Sequence, residues 1–210
     1  MEWNAVLFLG AYHGINPGMG WLFAVALGMQ QGCARGVWRA IPPIALGHMA
    51  AVGAVLLVAG VAQTVVPIPT MKLVVACLLV GFGLFRLWRH RHPRFGGMRV
   101  GFRDLTIWSF LMASAHGAGL MVLPFVMAMS SPVLAAGGMH AHHAAATSSL
   151  PGAAALALAL HTLAYLGVLA FAAWIVYQKL GLALLRTAWF NLDLIWAGAL
   201  VATGLLIFFL

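Results

Sequence analysis

Acidic side chains are nearly missing from this chain. It has three, Glu2, Asp104 and Asp193, against 11 Lys and Arg, and charged residues fill only 7% of its 210 positions. A water-soluble domain carries roughly 25% charged residues, so an ordinary water-facing surface is excluded. Hard-cation chemistry is disfavoured as well. Ca²⁺ and Mg²⁺ want several oxygen ligands and negative charge, and no carboxylate falls in the central part of any long apolar stretch. Cysteine is equally scarce. Cys33 and Cys77 stand on different segments without CxxC spacing, which argues against a structural disulfide or a thioredoxin-like redox pair. The N-terminus has no basic n-region and runs straight into a long apolar segment, so no cleavable leader is expected.

Apolar residues make up 64% of the chain. They recur in runs of about 18 or more, each long enough to cross a bilayer. The pattern predicts an all-α polytopic membrane protein with six transmembrane helices, over residues 5–31, 41–66, 71–88, 105–129, 153–177 and 188–210. Pro42 and Pro43 suit the first turn of the second span.

The formal charge is +8, but its distribution points to topology and not to nucleic acid. Arg35 and Arg39 lie between the first two spans. Arg86, Arg89, Arg91, Arg94, Arg99 and Arg103 surround the connection from the third to the fourth, and Lys179 and Arg186 join the last two. The alternate loops hold only Lys72. Basic loops stay in the cytoplasm, so both termini are expected outside, in the inner (plasma) membrane of a bacterium. The long outer loop, residues 130–152, carries Met139, His140, His142 and His143. This cluster suits capture of a soft metal as well as it suits an unconstrained loop.

The two halves of the chain resemble each other. "AYHGINPGMGW" lies over "ASAHGAGLMVLP", with His13-Gly14 over His116-Gly117. "ALGHMAAVG" lies over "LALHTLAYLG", with His48 over His161. "LVVACLLVGFG" lies over "LIWAGALVATG", with Ala76 over Ala197 and Gly83 over Gly204. Three matches in one order define a first repeat, 1–104, and a second, 105–210, which together form one membrane domain. Each repeat has an odd number of spans, so the second enters from the opposite side. In such inverted repeats, sites form near the midplane on interrupted helices.

Four of the nine histidines fall inside spans: His13, His48, His116 and His161. At about 1.5 Å per residue, His13 and His161 lie about 12–14 Å from the outer surface. By the same measure His116 and His48 lie about 10–16 Å from the inner one. One central site is consistent with these depths. So is an outer pair, His13 with His161, above an inner pair, His48 with His116. Ionisable groups inside a membrane are costly and default to a functional role. Imidazole binds Zn, Cu and Ni and also relays protons. Pro17, Gly14, Gly18 and Gly20 predict a broken helix beside His13 whose freed carbonyls face a cavity. Asn16 adds a donor and an acceptor there. Gly117, Gly119 and Pro124 predict the matching interruption in span four. Met19, Met29, Met49, Met112, Met121, Met127 and Met129 could ligate Cu(I), although Met is also a common apolar filler.

Six spans in a three-plus-three inverted repeat, with an Asn16-Pro17-Gly18 break beside His13 and paired motifs on spans one and four, resemble the LysE-type superfamily. That group includes amino-acid exporters, NicO-type nickel/cobalt exporters, TerC-like proteins and DsbD/CcdA electron carriers. The chain departs from individual branches. Spans one and four lack cysteine, His13 has no acidic partner, and TerC-like intramembrane acids are missing. The resemblance implies transport across a membrane and leaves the cargo open.

The expected function is a secondary transporter, working as an exporter, with a transition-metal ion (Zn, Cu or Ni) as the leading cargo. His13, His48, His116 and His161 would supply ligands or proton relays, and Asn16, Pro17, Gly18 and Gly117 would border the path. The alternatives are a transmembrane electron carrier holding two b-type haems between histidine pairs, and a His-metal enzyme acting on lipid. No catalytic residue is assigned. The expected partners are the lipid bilayer and a small ion or molecule, with a homo-oligomer left open.

Overall fold

The structure is a computed structural model that describes residues 2–88, 101–129, 150–180 and 192–209. Met139, His140, His142 and His143, and the basic stretch 89–100, lie outside the described residues. Every regular element among the described residues is helical. They are α1 (Glu2–Ile15), α2 (Trp21–Gln30), α3 (Ala34–Ala62), α4 (Ile68–Trp88), α5 (Phe102–Ala115), α6 (Ala118–Met129), α7 (Leu150–Ile175) and α8 (Leu192–Phe209). A 3-10 turn, Pro17–Met19, joins α1 to α2, and a π-helical turn, Val176–Leu180, follows α7.

Three of these stretches are long and apolar enough to cross a membrane: Ala34–Ala62, Ile68–Phe85 and Gly152–Lys179. The pair Phe102–Ala115 and Ala118–Ala128, bent by 61°, makes a fourth if it counts as one span. The first expected span is divided into two shorter helices. In the last, the described apolar helix is the short Ala197–Ile207.

Helix α3 corrects one expectation. It starts at Ala34, so Pro42 and Pro43 lie inside it and not in its first turn. Arg35 and Arg39 hid the first two turns from a hydropathy reading. The prolines remove the N–H groups that would reach the Trp38 and Arg39 carbonyls. Both carbonyls sit near the basic end of the helix, where freed acceptors are easiest to satisfy. Asp104, an exposed carboxylate, accepts a hydrogen bond from the Gly101 N–H at 3.0 Å and closes the start of α5. A negative group is favourable there.

Packing gives the helix directions. Along α3, Trp38, His48 and Gly53 meet Trp174, His161 and Leu158 of α7 in turn, so the two helices run antiparallel. Gly10 and Gly14 of α1 lie against His161 and Tyr165 of α7, so that pair runs parallel. Helices α4 and α8 pair extensively, and their contact is reciprocal. A Cβ on Gly83 would stand 3.0 Å from the Ala197 carbonyl oxygen and 2.7 Å from Val201 Cγ2. A Cβ on Gly204 would stand 3.0 Å from the Ala76 carbonyl oxygen and 2.7 Å from Val80 Cγ2. These are the residues that the alignment of the two halves superimposes. Trp38, Trp88 and Trp174 are exposed at the ends that carry the basic residues, where aromatic belts form in membrane proteins.

Candidate functional site

The first break is built from local hydrogen bonds. Asn16 Oδ1 accepts the Gly18 N–H at 2.9 Å, and Pro17 opens the short turn that follows. Ending α1 at Ile15 and restarting at Trp21 frees backbone carbonyls that side chains then satisfy. The Trp21 indole donates to the Ile15 carbonyl at 2.8 Å. The Tyr165 hydroxyl, from α7, donates to the Met19 carbonyl at 2.6 Å. Gly20 sits at φ 135°, and a side chain there would meet Ile44 of α3. The second break is tighter. It falls at His116 and Gly117, with Gly117 at φ 68° packed beside Leu200. Pro124 stays inside α6 and does not end it. Gly119, also inside α6, packs against Val55 of α3.

His13 and His116 are held alike. Each Nδ1 donates to the carbonyl four residues earlier, Leu9 at 2.7 Å and Met112 at 2.8 Å. A carbonyl only accepts, so each Nδ1 carries the proton and a neutral ring keeps its Nε2 lone pair. The two residues that the repeat alignment superimposes therefore share one tautomer.

Three histidines from three helices meet. His13 (α1), His48 (α3) and His161 (α7) each have 0% exposure. The His13 ring centroid lies 5.0 Å from that of His161 and 5.5 Å from that of His48, edge-on to both. His48 and His161 are nearly parallel, and their Nε2 atoms are 3.3 Å apart. His161 Nδ1 faces the Val6 carbonyl at 3.4 Å. With neutral rings this fixes the direction: His161 donates through Nδ1 and accepts at Nε2, so His48 donates through Nε2. Among the described residues His48 Nδ1 is then a buried acceptor with no hydrogen-bond partner, and the hydroxyl oxygen of Thr162, next to His161 in the chain, also has none. His116 is buried and within electrostatic range of His13.

His48 thus contacts His161 and His13, and the four do not divide into an outer and an inner pair. A haem does not fit between these rings as they stand. In the expected outer pair the His13 and His161 ring centroids are 5.0 Å apart and edge-on, too close for a porphyrin between them, and the His48 ring meets His161. A transition-metal ion fits in part. Two nitrogens on a tetrahedral ion with bonds of about 2.0–2.1 Å are about 3.3 Å apart, the observed separation. Among the described residues, however, no three His, Cys, Asp or Glu side chains are placed together to hold a metal ion.

Sequence reasoning missed Tyr165, Trp21 and Ser109. Tyr165 is fully buried, and its ring stacks on His48 with centroids 3.9 Å apart. Its position, one helical turn after His161, was a signal available in the sequence. Ser109 donates to the Ile44 carbonyl at 2.7 Å and ties α5 to α3. Nothing in its local sequence marks it.

Separately, a cavity of about 300 Å³ opens between α2, α3 and α5 at the basic end. Gln31, Arg39, Ala40, Pro43, Phe102 and Leu105 are among its lining residues, and among the described residues no histidine lines it.

No protein-family model matches the chain, and neither a curated protein nor a solved structure matches it.

Proposed function

We propose that this chain is a secondary transporter, an exporter built from two inverted three-span repeats, with a transition-metal ion as its cargo. The observation that carries the reading is the contact of His13, His48 and His161, three fully buried imidazoles from three helices, beside a broken first helix. Antiparallel packing of α3 on α7, the reciprocal Gly83 and Gly204 contacts, and the matched His13 and His116 tautomers support the inverted repeat. The LysE-type resemblance belongs to the same proposal, as do six spans, an inner-membrane location and outward termini.

The cargo ion would be taken by His48 Nε2 and His161 Nε2, with His13 as the nearest further imidazole. His48 Nε2 carries the proton of the histidine pair. An ion can use that nitrogen only when the proton moves to Nδ1 or leaves, so cargo and proton compete for one atom. The absence of a buried carboxylate among the described side chains favours a soft or borderline ion over a hard one. It also leaves little for an acid–base enzyme acting on lipid to use.

Cells expressing the protein should accumulate less Zn, Cu or Ni than control cells and tolerate more of it. Alanine at His13, His48, His116 and His161 together should abolish both effects, read by elemental analysis of washed cells. Unchanged accumulation and tolerance in that variant removes the reading. An absorption spectrum of the same purified protein tests the haem alternative, which a Soret band would restore.

A further inference from the structure

Three elements carry the same sequence of layers from the basic end inward, and α7 carries the inner two. On α5, Leu105 lines the cavity, Ser109 follows one turn deeper, then Ala113, then His116. All four are buried, at the i, i+4, i+8, i+11 spacing of one helix face. On α3, Ala40 and Pro43 line the cavity, Ile44 offers its carbonyl to Ser109, and His48 lies one turn beyond. On α7, Tyr165 stands one turn on the basic side of His161. In the first span Gln31 lines the cavity, Met19 accepts from Tyr165, and His13 lies beyond the break.

A polar layer therefore separates the cavity from the histidines. Its members are the Tyr165 and Ser109 hydroxyls, which stand side by side, and the Met19 and Ile44 carbonyls they bond. At about 1.5 Å per residue it is about 6 Å thick along the helix axis. We propose that the cavity is the vestibule on the basic-loop side and that Tyr165 is the gate between it and the histidine site. The hydroxyl of Tyr165 holds the Asn16-Pro17-Gly18 break through Met19, while its ring covers His48. Water or cargo entering from the vestibule must pass Tyr165. Releasing the Met19 carbonyl frees the break and lets the ring slide off His48, so one event opens the path and uncovers a ligand. Tyr165 acts here as a positioning residue, and the gate rests on the transporter reading. Its test needs no cargo.

The reporter is Ala113→Cys, between the Ser109 layer and His116, in a Cys33→Ala, Cys77→Ala background. Gln31→Cys, at an exposed position on the cavity lining, reports on the vestibule. A small charged thiol reagent is applied to inside-out vesicles, since only a hydrated thiolate reacts. Gln31→Cys should be modified at the same rate with Tyr or Phe at position 165. Ala113→Cys should be protected in the parent and modified about three- to tenfold faster in Tyr165→Phe, the effect of losing one buried hydrogen bond. Tyr165→Phe keeps the ring, and its folding is checked by monodispersity. If it does not fold, Ser109→Ala, which unties α5 from α3 in the same layer, is read the same way. An unchanged Ala113→Cys rate overturns the gate. So does modification of Ala113→Cys as fast as Gln31→Cys in the parent, or a Gln31→Cys that stays unmodified. The expected labelling in a protein that moves no metal would keep the gate and discard the cargo.

Discussion

At the scale of single residues, the chemistry concentrates where polar groups are scarce. His13 and His116 are each oriented by a backbone carbonyl one turn earlier, so their rings are set by local geometry before any helix packs. Gly117 is the sharpest local requirement. Its φ of 68° is left-handed, which costs an L-residue about 1–2 kcal/mol, and a Cβ there would meet Leu200 at 3.0 Å. Gly117→Ala should therefore lower stability by about 1–2 kcal/mol, seen as a lower thermal midpoint in detergent. The sign is the informative part. In a straight fourth helix the same change would stabilise by about 1 kcal/mol, so a raised midpoint would mean there is no break. Residue identity was the most readable level. The four buried histidines, the Asn16-Pro17-Gly18 break and the His116-Gly117 break all stood out because an apolar chain has few reasons to carry them. Tyr165 did not stand out, since an aromatic in an apolar span has an ordinary use.

At the scale of elements, small residues decide which helices touch. Gly83 and Gly204 let α4 and α8 approach until each meets the other's backbone. Gly81, on the same helix as Gly83, has nothing within 4 Å of its would-be Cβ. Gly83→Val should weaken this pairing by about 1–3 kcal/mol, the usual cost of overpacking, while Gly81→Val should change stability little. Equal effects of the two changes on an unfolding curve would show that α4 presents a different face to α8. Helix ends were harder to read than helix existence. The start of α3 was misplaced because Arg35 and Arg39 look like loop in a hydropathy reading, yet two charged turns can extend a helix beyond its apolar stretch. The prolines then fell inside a helix that Pro42 and Pro43 had been expected to open.

At the scale of the whole molecule, the exposed apolar surface is of the kind a bilayer covers, and the helices are long and apolar enough to cross one. Leu73, Val74 and Leu78 of α4 are exposed, and Cys77 lies among them, also exposed. Cys33 is exposed in the turn between α2 and α3. If α4 faces lipid, an impermeant maleimide should label Cys33 from the basic-loop side alone and leave Cys77 unlabelled from both. A Cys77 that reacts as fast as Cys33 would place water along α4 and defeat the membrane placement. Labelling of Cys33 on intact cells would invert the topology. Depth arithmetic illustrates the limit of a one-dimensional reading at this scale. It allowed one central site as well as a pair of His13 with His161 above a pair of His48 with His116, and could not choose between them. Distance along a helix axis says nothing about which neighbour lies alongside, and the antiparallel crossing of α3 and α7 brings His48 to His161.

The sequence by itself determined an apolar helical chain, the near-absence of carboxylates, the four histidines and the positions of two helix breaks. Each follows from residue type or from spacing along one strand of chain. Only the tertiary structure decided that three of those histidines share one contact, that His48 donates to His161, and that Tyr165 joins the first break to that pair. These depend on lateral packing, in which glycines such as Gly10, Gly14 and Gly83 set how near two helices come. A side chain then finds a partner 146 residues away, as the Tyr165 hydroxyl finds the Met19 carbonyl, and no local pattern records it.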